Sequence, residues 1–453
     1  MRIAAAALFV LIAIAAVVPL HSYDLFWHLA TGRWIVEHRA LPASDPFTVA
    51  SDRGPWINGE WLFEAVLYPI HQAVGLRGLT VARALSVAAL FTLAFLLGTR
   101  DVAIAGIAFL GANPLLDVRP ASVAPLFVVL AIAVARRSWI AFALLTAIWI
   151  NVHPSALLAP VIMLVLTRSI PQTLAAVAAL LVNPFGWRAI AAPISLNAFA
   201  TSGAFTNAEW MRSSPLVFPL LYLTIIAAIA LFVMTKERRV ESIVLFAMFA
   251  VLAVLHVRHQ TMYYAALPML VTSLPIRRHV SHAIAFAAIV IAFLASSHEL
   301  GLAPHRWPIA PVSRLKETGL RGNIYNPDQF GGLLIWSFYP ERRALTDGRN
   351  ELYRTFIAEY AVARGDGRAW RALLRKYRID LAVDEYRNAK VPVVNAVTKQ
   401  TILLPASLVY WPRAEWALIA YDDAGMVFAR RAAFGEEVIQ RWEMRGVVPD
   451  AAN

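Results

Sequence analysis

Hydrophobic and polar positions change their pattern at about residue 300. Before it, long apolar runs alternate with short polar turns, which predicts membrane-spanning helices, because a span takes about 20 apolar residues. Glu64, Pro69 and His71 interrupt the run at residues 61–74, so we predict a re-entrant or surface-lying helix there. We predict eleven spans, at about residues 3–20, 80–98, 102–116, 121–135, 139–151, 154–167, 171–183, 215–234, 240–256, 260–275 and 280–297.

After Gly301 the apolar runs become short and mix strand-like and helix-like patterns, which predicts a small α/β domain. We predict strands at residues 323–326, 343–346, 379–383, 416–421 and 426–429, and helices at residues 331–338 and 370–377. The predicted fold is therefore an α-helical polytopic membrane domain at residues 1–299, with its first outer loop at about 21–79. A soluble extracytoplasmic α/β domain at residues 300–453 follows it.

The basic residues support one orientation of these helices. No clear small-x-small cleavage site precedes His21, so we expect the first segment to stay as a helix with a cytoplasmic amino terminus. The inner helix ends then carry the basic clusters, as the positive-inside rule requires. These clusters are Arg2, Arg100, Arg136-Arg137, Arg168, Lys236/Arg238/Arg239 and Arg277-Arg278. Most other unusual polar residues, Asp24 and Glu60 among them, fall at the outer ends.

Composition agrees with a membrane protein, since 59% of the 453 residues are hydrophobic and only 15% are charged. The absence of cysteine excludes disulfides, cysteine-ligated zinc, iron–sulfur clusters and thiol catalysis. The net charge is +12, but most arginines stand singly or in pairs. That distribution indicates membrane topology and anionic lipid rather than nucleic-acid binding.

The first outer loop contains the densest candidate chemistry. Asp24 and His28 would share one face of a helix, and Asp45 and Glu60 follow in the same loop. Carboxylates act as general bases or hold a divalent cation. Tryptophans interleave with them, and their rings stack on sugars or lie at the lipid interface. The alternative interpretation is an interfacial loop with an aromatic belt and solvated acids.

Further candidates lie at other outer helix ends. Arginine forks suit phosphate, although these side chains would also fit interfacial contacts with lipid head groups. Glu209 is either a second acid of the site or loop surface, and Arg83 is either functional or extends to the interface. His28 with His153 or His259 lacks a metal-ligand spacing, so no metal site is predicted. This second set comprises Arg83, Arg119, His153, Glu209, Arg258 and His259.

Several motifs resemble bacterial integral-membrane proteins of the GT-C glycosyltransferase type. The first outer loop contributes Asp24-Leu25-Phe26-Trp27-His28-Leu29, Gly32-Arg33, Pro42, Asp45-Pro46-Phe47 and Trp56…Glu60-Trp61-Leu62. Later motifs are Asn151-Val152-His153, Asn183-Pro184-Phe185-Gly186 and Glu209-Trp210. The tail contributes Asn326-Pro327…Phe330-Gly331-Gly332 and Thr346-Asp347-Gly348-Arg349-Asn350-Glu351-Leu352-Tyr353.

This resemblance implies a polyprenyl-phosphate sugar donor, a glycan, lipid or protein acceptor, and a bacterial inner-membrane location. It makes Asp24 the catalytic base, with Glu60 as a further catalytic candidate. Many members of the group place two acids close together in this loop, whereas Asp24 is followed by Leu25-Phe26-Trp27. The cofactor therefore stays unknown, with a divalent cation as one option. The remaining candidates would bind the donor phosphate or the substrate: His28, Arg33, Arg83, Arg119, His153, Glu209, Arg258 and His259.

The sequence thus supports the hypothesis of a membrane glycosyltransferase acting on the outer face. The alternative is a non-catalytic membrane protein, either a transporter or flippase for lipid-linked glycans or a scaffold. A transporter should place polar residues along a path through the middle of the membrane. Here they gather at one face, which favours surface chemistry.

Overall fold

The structure is a computed structural model. It describes residues 1–449 except 204–206, 237–238, 388 and 395–397, so Arg238 of the predicted cytoplasmic cluster lies outside the described residues.

Helices form most of the chain. In order they are α1 (Arg2–Ala15), α2 (Leu25–His38), α3 (Trp61–Leu97), α4 (Val102–Ala112), α5 (Pro120–Val134), α6 (Trp139–Trp149), α7 (Ala159–Thr167), α8 (Ile170–Ala179), α9 (Arg188–Ala200), α10 (Pro219–Met234), α11 (Val240–Leu255), α12 (Gln260–Leu270), α13 (Arg278–Leu294), α14 (Ile309–Glu317), α15 (Asp328–Phe338), α16 (Arg354–Ala363), α17 (Gly367–Lys376), α18 (Ala406–Tyr410), α19 (Arg431–Phe434) and α20 (Glu436–Trp442). The strands are β1 (Asn323–Tyr325), β2 (Ile379–Glu385), β3 (Lys390–Val394), β4 (Thr401–Pro405), β5 (Trp416–Tyr421) and β6 (Gly425–Arg430).

Packing divides the chain into two compact units. The first, here called the helical unit, combines Met1–Ser22 with Ile57–Leu302. The second, here called the sheet unit, combines Tyr23–Trp56 with Ala303–Asn453. The predicted division at residues 299/300 counted the whole first outer loop with the membrane domain. In the structure, residues 23–56 pack with the tail instead.

The helical unit contains a helix in each of the eleven segments predicted as spans. Within the described residues, α3 is the one helix that is long and apolar enough to cross a membrane by length and composition. The other apolar helices have 10–17 residues. A break at Gly75, whose φ is 65°, divides α3 and coincides with the predicted boundary between residues 61–74 and 80–98. Only glycine adopts such a backbone at little cost.

Small residues let the helices of this unit approach closely. A Cβ atom at Gly106 of α4 would lie 2.9 Å from the Cα of Ala285 on α13. A Cβ at Gly111 would lie 2.2 Å from the ring of Tyr264 on α12. Both glycines therefore permit contacts that any larger residue would block. Helix α9 lies between two of the predicted spans, where no helix is predicted, and it contains Pro193.

The sheet unit is built on a four-stranded sheet in the order β1-β2-β6-β5. Strands β1 and β2 are parallel, and the other pairs are antiparallel. An aromatic cluster packs in the core, where the Tyr325 ring lies 5.1 Å from Trp370 and 5.0 Å from Trp411. Four of the five predicted strands are present, and the mixture of strands and helices agrees with the predicted α/β tail.

The fifth predicted strand, at residues 343–346, is wrong as a full strand. Ala344 forms only isolated bridges, to Thr48 and to Ile324. The segment then turns at once into the buried Asp347, so it is too short to extend the ladder. The hairpin of β3 and β4 and helix α16 were not predicted.

Candidate functional site

Asp24 stands directly before α2 in the sheet unit, at the N-cap position. The indole nitrogen of Trp27 donates a hydrogen bond to its Oδ1 at 3.1 Å, and the carboxylate is partly exposed. A Cβ atom at position 348 would lie 2.8 Å from this oxygen, so Gly348 leaves the space that the carboxylate occupies. The fold therefore fixes the direction of one Asp24 oxygen while leaving the group open to solvent.

His28 and Arg33, predicted to bind donor or substrate, are also in α2. His28 is 2% exposed, and its ring lies 3.6 Å from the ring of Trp27. Arg33 donates to the carbonyl oxygen of Tyr339 at 3.3 Å and covers the ring of Trp336 at 4.8 Å. These contacts give both side chains a packing role inside the unit, and their ligand-binding role stays a prediction.

A buried ion network lies behind Trp27, centred on Arg349. Its Nε donates to both carboxylate oxygens of Asp347, at 2.9 and 3.0 Å, and its Nη2 reaches Asp45 at 3.0 Å. All three side chains are at most 2% exposed. Burial would raise the pKa of Asp45, but the charge of Arg349 and the hydroxyl of Thr48 outweigh it and lower that pKa. Asp45 is therefore held as an anion, and it shares the Arg349 guanidinium with Asp347.

Aromatic rings surround the same guanidinium. Its carbon lies 4.5 Å from the Trp56 ring, 5.5 Å from Phe47 and 5.6 Å from Trp27. A cation over an aromatic face is attracted to it. Arg349 thus connects the Asp45–Asp347 pair to the indole that orients Asp24. In the sequence, only the tail motif marks Asp347-Gly348-Arg349, and no local pattern indicates this network.

A third acid, Asp328 at the start of α15, lies within electrostatic range of Asp24. Desolvation by the surrounding protein raises the pKa of Asp328, and the negative charges of Asp24 and Asp347 add to that rise. Within the described ranges, no three or more histidine, aspartate or glutamate side chains are grouped to hold a metal ion.

In the helical unit, Glu60 and His153 come together. Glu60 precedes α3, and its Oε1 lies 3.9 Å from Nε2 of His153. The other ring nitrogen of His153 accepts from the amide of Ser155 at 3.1 Å. Asn151 connects these segments, because its Oδ1 accepts from the Trp61 indole at 2.8 Å. Two of the predicted site residues therefore form one pair.

Glu64, one turn into α3, was regarded in the sequence only as a residue that weakens a span. It is fully buried and accepts a hydrogen bond of 2.6 Å from the amide of Asn58. Since a buried carboxylate needs such a partner, this bond fixes the segment that leads to Glu60.

Arg119, Glu209 and Arg258 line a small cavity of about 60 Å³. Arg119 and Glu209 form an ion pair, and Arg258 lies 4.5 Å over the ring of Trp210. Burial would raise the pKa of Glu209, but the two arginines outweigh it and lower that pKa. Glu209 is therefore a paired anion. The cavity has space on the order of a few water molecules.

His259 borders this region. Burial, together with the positive charge of Arg258 and His256, lowers the pKa of His259 to about 4. The imidazole is then neutral at pH 7, so it can donate or accept a hydrogen bond but adds no charge for phosphate.

Arg83 has a different environment from the other arginines. It is 4% exposed, and it donates to the carbonyl oxygens of Ala16, Asn113 and Leu116 at 2.6 to 3.0 Å. Those carbonyls belong to helix ends that lack helical partners. The contacts favour a structural role over the predicted contact with phosphate.

No protein-family model matches the chain, and no curated protein matches it in sequence. Solved structures of an archaeal oligosaccharyltransferase from Archaeoglobus fulgidus do match in fold. AglB in complex with an inhibitory peptide and a dolichol-phosphate is 12% identical, with a TM-score of 0.55 over 84% of this chain and 69% of that one. The apo form has a TM-score of 0.56 at 12% identity, over 84% and 69%.

The form tethered to an acceptor peptide with the NVT sequon has a TM-score of 0.57 at 11% identity, over 88% of this chain and 74% of that one. At this identity the likeness shows the fold alone. The chain has a fold like that of this oligosaccharyltransferase, which agrees with the glycosyltransferase-like fold expected from its motifs.

Proposed function

We propose that this protein is a membrane glycosyltransferase that moves a sugar from a polyprenyl-phosphate donor to an extracytoplasmic acceptor hydroxyl. The observation that carries this proposal is the Asp24 carboxylate, oriented by the Trp27 indole on a fold like that of an oligosaccharyltransferase. The neighbours' complexes with dolichol-phosphate and with acceptor peptide support a lipid-linked donor and an acceptor outside the membrane.

In this mechanism Asp24 accepts the proton of the acceptor hydroxyl. The hydroxyl oxygen bonds to the anomeric carbon as the bond from that carbon to the donor phosphate breaks, and the polyprenyl phosphate leaves with the electron pair. Glu60, paired with His153, is the second acid of the proposal.

The donor phosphate has its best candidates in Arg119 and Arg258, since arginine forks suit phosphate oxygens. Their present contacts, with Glu209 and with Trp210, would have to exchange for phosphate. We further propose a bacterial inner-membrane location, with the amino terminus cytoplasmic and the tail outside.

The test compares purified wild type with Asp24→Asn in transfer of labelled sugar from polyprenyl-phosphate donors. General-base assistance is typically worth about 10²–10⁴ in rate, so we expect a fall of that size. Glu37→Gln is the matched control, because Glu37 is an exposed acid on the same helix and should keep full activity. Equal rates in wild type and Asp24→Asn would remove the base role. Translocation of a lipid-linked glycan without transfer would favour the transporter alternative.

A further inference from the structure

The sheet unit contains an open groove of about 1010 Å³ that the mechanism above does not use. The loop of residues 43–55 lines part of it, in the same unit as Asp24. Asn323, Arg343 and residues 376–378 line the rest. The groove is thus formed by segments far apart in sequence.

The lining has a surplus of positive charge. Arg53, Arg343 and Arg378 are exposed and form no ion pair among the residues that the structure describes. Lys376, the fourth cation, is paired with Glu359 outside the groove.

The two carboxylates of the lining do not neutralise these arginines. Asp45 is 2% exposed and is bonded to Arg349. Asp52 accepts a hydrogen bond of 3.4 Å from the amide of Thr355. The lining therefore has three arginines for one half-buried carboxylate, Asp52. An anion that enters the groove would meet guanidinium groups that can donate hydrogen bonds to it.

The rest of the lining combines hydroxyl groups of Ser44 and Ser51 with Pro46, Pro55 and Tyr377. The hydroxyl of Thr48 is bonded to Asp45. A lipid surface would need large exposed apolar side chains to anchor its acyl region, and the lining contains none. Peptide side chains would likewise need apolar pockets. Hydroxyl and backbone groups beside arginines suit a ligand that is rich in hydroxyls and carries negative charge.

We propose that this groove binds an anionic oligosaccharide, with sugar carboxylates or phosphates at Arg53, Arg343 and Arg378. This ligand would be the acceptor of the transfer, an assignment that rests on the proposed function. The groove would hold the charged part of the chain, and the acceptor hydroxyl would belong to another residue of the same oligosaccharide.

The experiment measures binding to the full-length protein in detergent by calorimetry. The probe is the hexamer of galacturonic acid, with maltohexaose as its uncharged counterpart and hexaglutamate as the acidic peptide. The variant is R53Q/R343Q/R378Q. Its control is R368Q/R371Q/R375Q, which removes the same charge from exposed arginines of α17 outside the groove.

We expect wild type to bind the galacturonic acid hexamer and not maltohexaose. Losing even one charge-assisted hydrogen bond reduces affinity about ten-fold or more, so the groove variant should bind at least ten-fold more weakly while the control keeps its affinity. Raising the salt concentration from about 0.1 M to about 1 M should weaken binding, because the Debye screening length falls from about 10 Å to about 3 Å.

Equal binding of maltohexaose, no binding of the charged hexamer, or equal loss in both triple variants would overturn the proposal. Stronger binding of hexaglutamate would assign the groove to an acidic peptide instead. If the triple variant does not fold, the single variant R343Q replaces it in the binding measurement. Binding of the charged hexamer by a wild-type protein that transfers no sugar from any polyprenyl-phosphate donor would retain the groove and reject the transferase. Transfer without binding of the hexamer would reject the groove alone, so the two failures are distinguishable.

Discussion

At the scale of single residues, Arg349 decides whether the sheet unit holds two buried acids, Asp45 and Asp347. The guanidinium is bonded to Asp347 and Asp45 and lies beside three aromatic rings. Removing one partner of such a buried pair leaves an uncompensated charge. The network also orients the Trp27 indole, so its effect should extend to Asp24.

We predict that Arg349→Gln destabilises the protein by about 3–5 kcal/mol, since two buried carboxylates lose their cation. Thermal unfolding monitored in detergent measures this. Arg349→Lys keeps the positive charge but loses the planar guanidinium that bonds two oxygens at once. Its loss of stability should therefore be smaller than that of Arg349→Gln. Arg364→Gln, which removes another arginine that lies over an aromatic ring, at 3.9 Å from Tyr410, is the control and should cost clearly less. Equal melting of Arg349→Gln and wild type would contradict the network's importance.

The sequence could indicate these residues but not their pairing. Asp45 and Arg349 are 304 residues apart, so no local period or spacing connects them. Asp24 and Trp27 are three residues apart in one motif, and their contact follows from the helix that begins there. For Arg83, the sequence suggests more function than the contacts support. A charge inside the membrane favours a functional role, but the partners of Arg83 are backbone carbonyls, which no sequence pattern reveals.

At the scale of elements, the pair Gly331-Gly332 explains how α15 fits its neighbours. A Cβ at Gly331 would lie 2.0 Å from the carbonyl oxygen of Thr346, and one at Gly332 would lie 2.9 Å from the amide nitrogen of Trp27. Both obstacles are backbone atoms, which cannot turn aside. These distances assign the pair a role in close packing, and the helix tolerates two poor helix formers for that reason.

We predict that Gly332→Ala destabilises the protein by about 1–3 kcal/mol through overpacking and also lowers transfer activity, because α2 and its Asp24 must shift. Gly367→Ala is the matched control. Position 367 also lies in a helix, but its nearest neighbour is a flexible Arg371 atom at 3.9 Å, so alanine should be neutral or slightly stabilising. Melting and transfer assays on both variants decide this. Unchanged melting of Gly332→Ala would mean that α15 and α2 can separate at little cost.

The local pattern of hydrophobic residues predicted individual helices and strands better than it predicted which of them pack together. Apolar runs placed a helix in every one of the eleven expected segments, because burial and lipid exposure both require apolar residues there. Strands β2, β5 and β6 followed from buried runs of apolar residues. The hairpin of β3 and β4 was missed, since Pro392 inside β3 argues against a strand unless that strand lies at an edge.

At the scale of the whole molecule, orientation in the membrane is still a prediction that rests on the sorting of charges. The absence of native cysteine makes it testable with single introduced thiols. Ala361, exposed on α16 of the sheet unit, should face the outside. Ser273, exposed between α12 and α13 and near Arg277, should face the cytoplasm, because basic clusters stay on that side.

We therefore expect a membrane-impermeant maleimide to label Ala361→Cys in cells with a permeabilised outer envelope, and to leave Ser273→Cys unlabelled. After lysis both should react, which controls for thiol accessibility. The reversed result would place the sheet unit, with Asp24 and the arginine groove, in the cytoplasm. A donor sugar presented on the outer face could not then reach Asp24, because a charged sugar phosphate does not cross the hydrocarbon core unaided. This single measurement thus decides on which side of the membrane the proposed chemistry has to be sought.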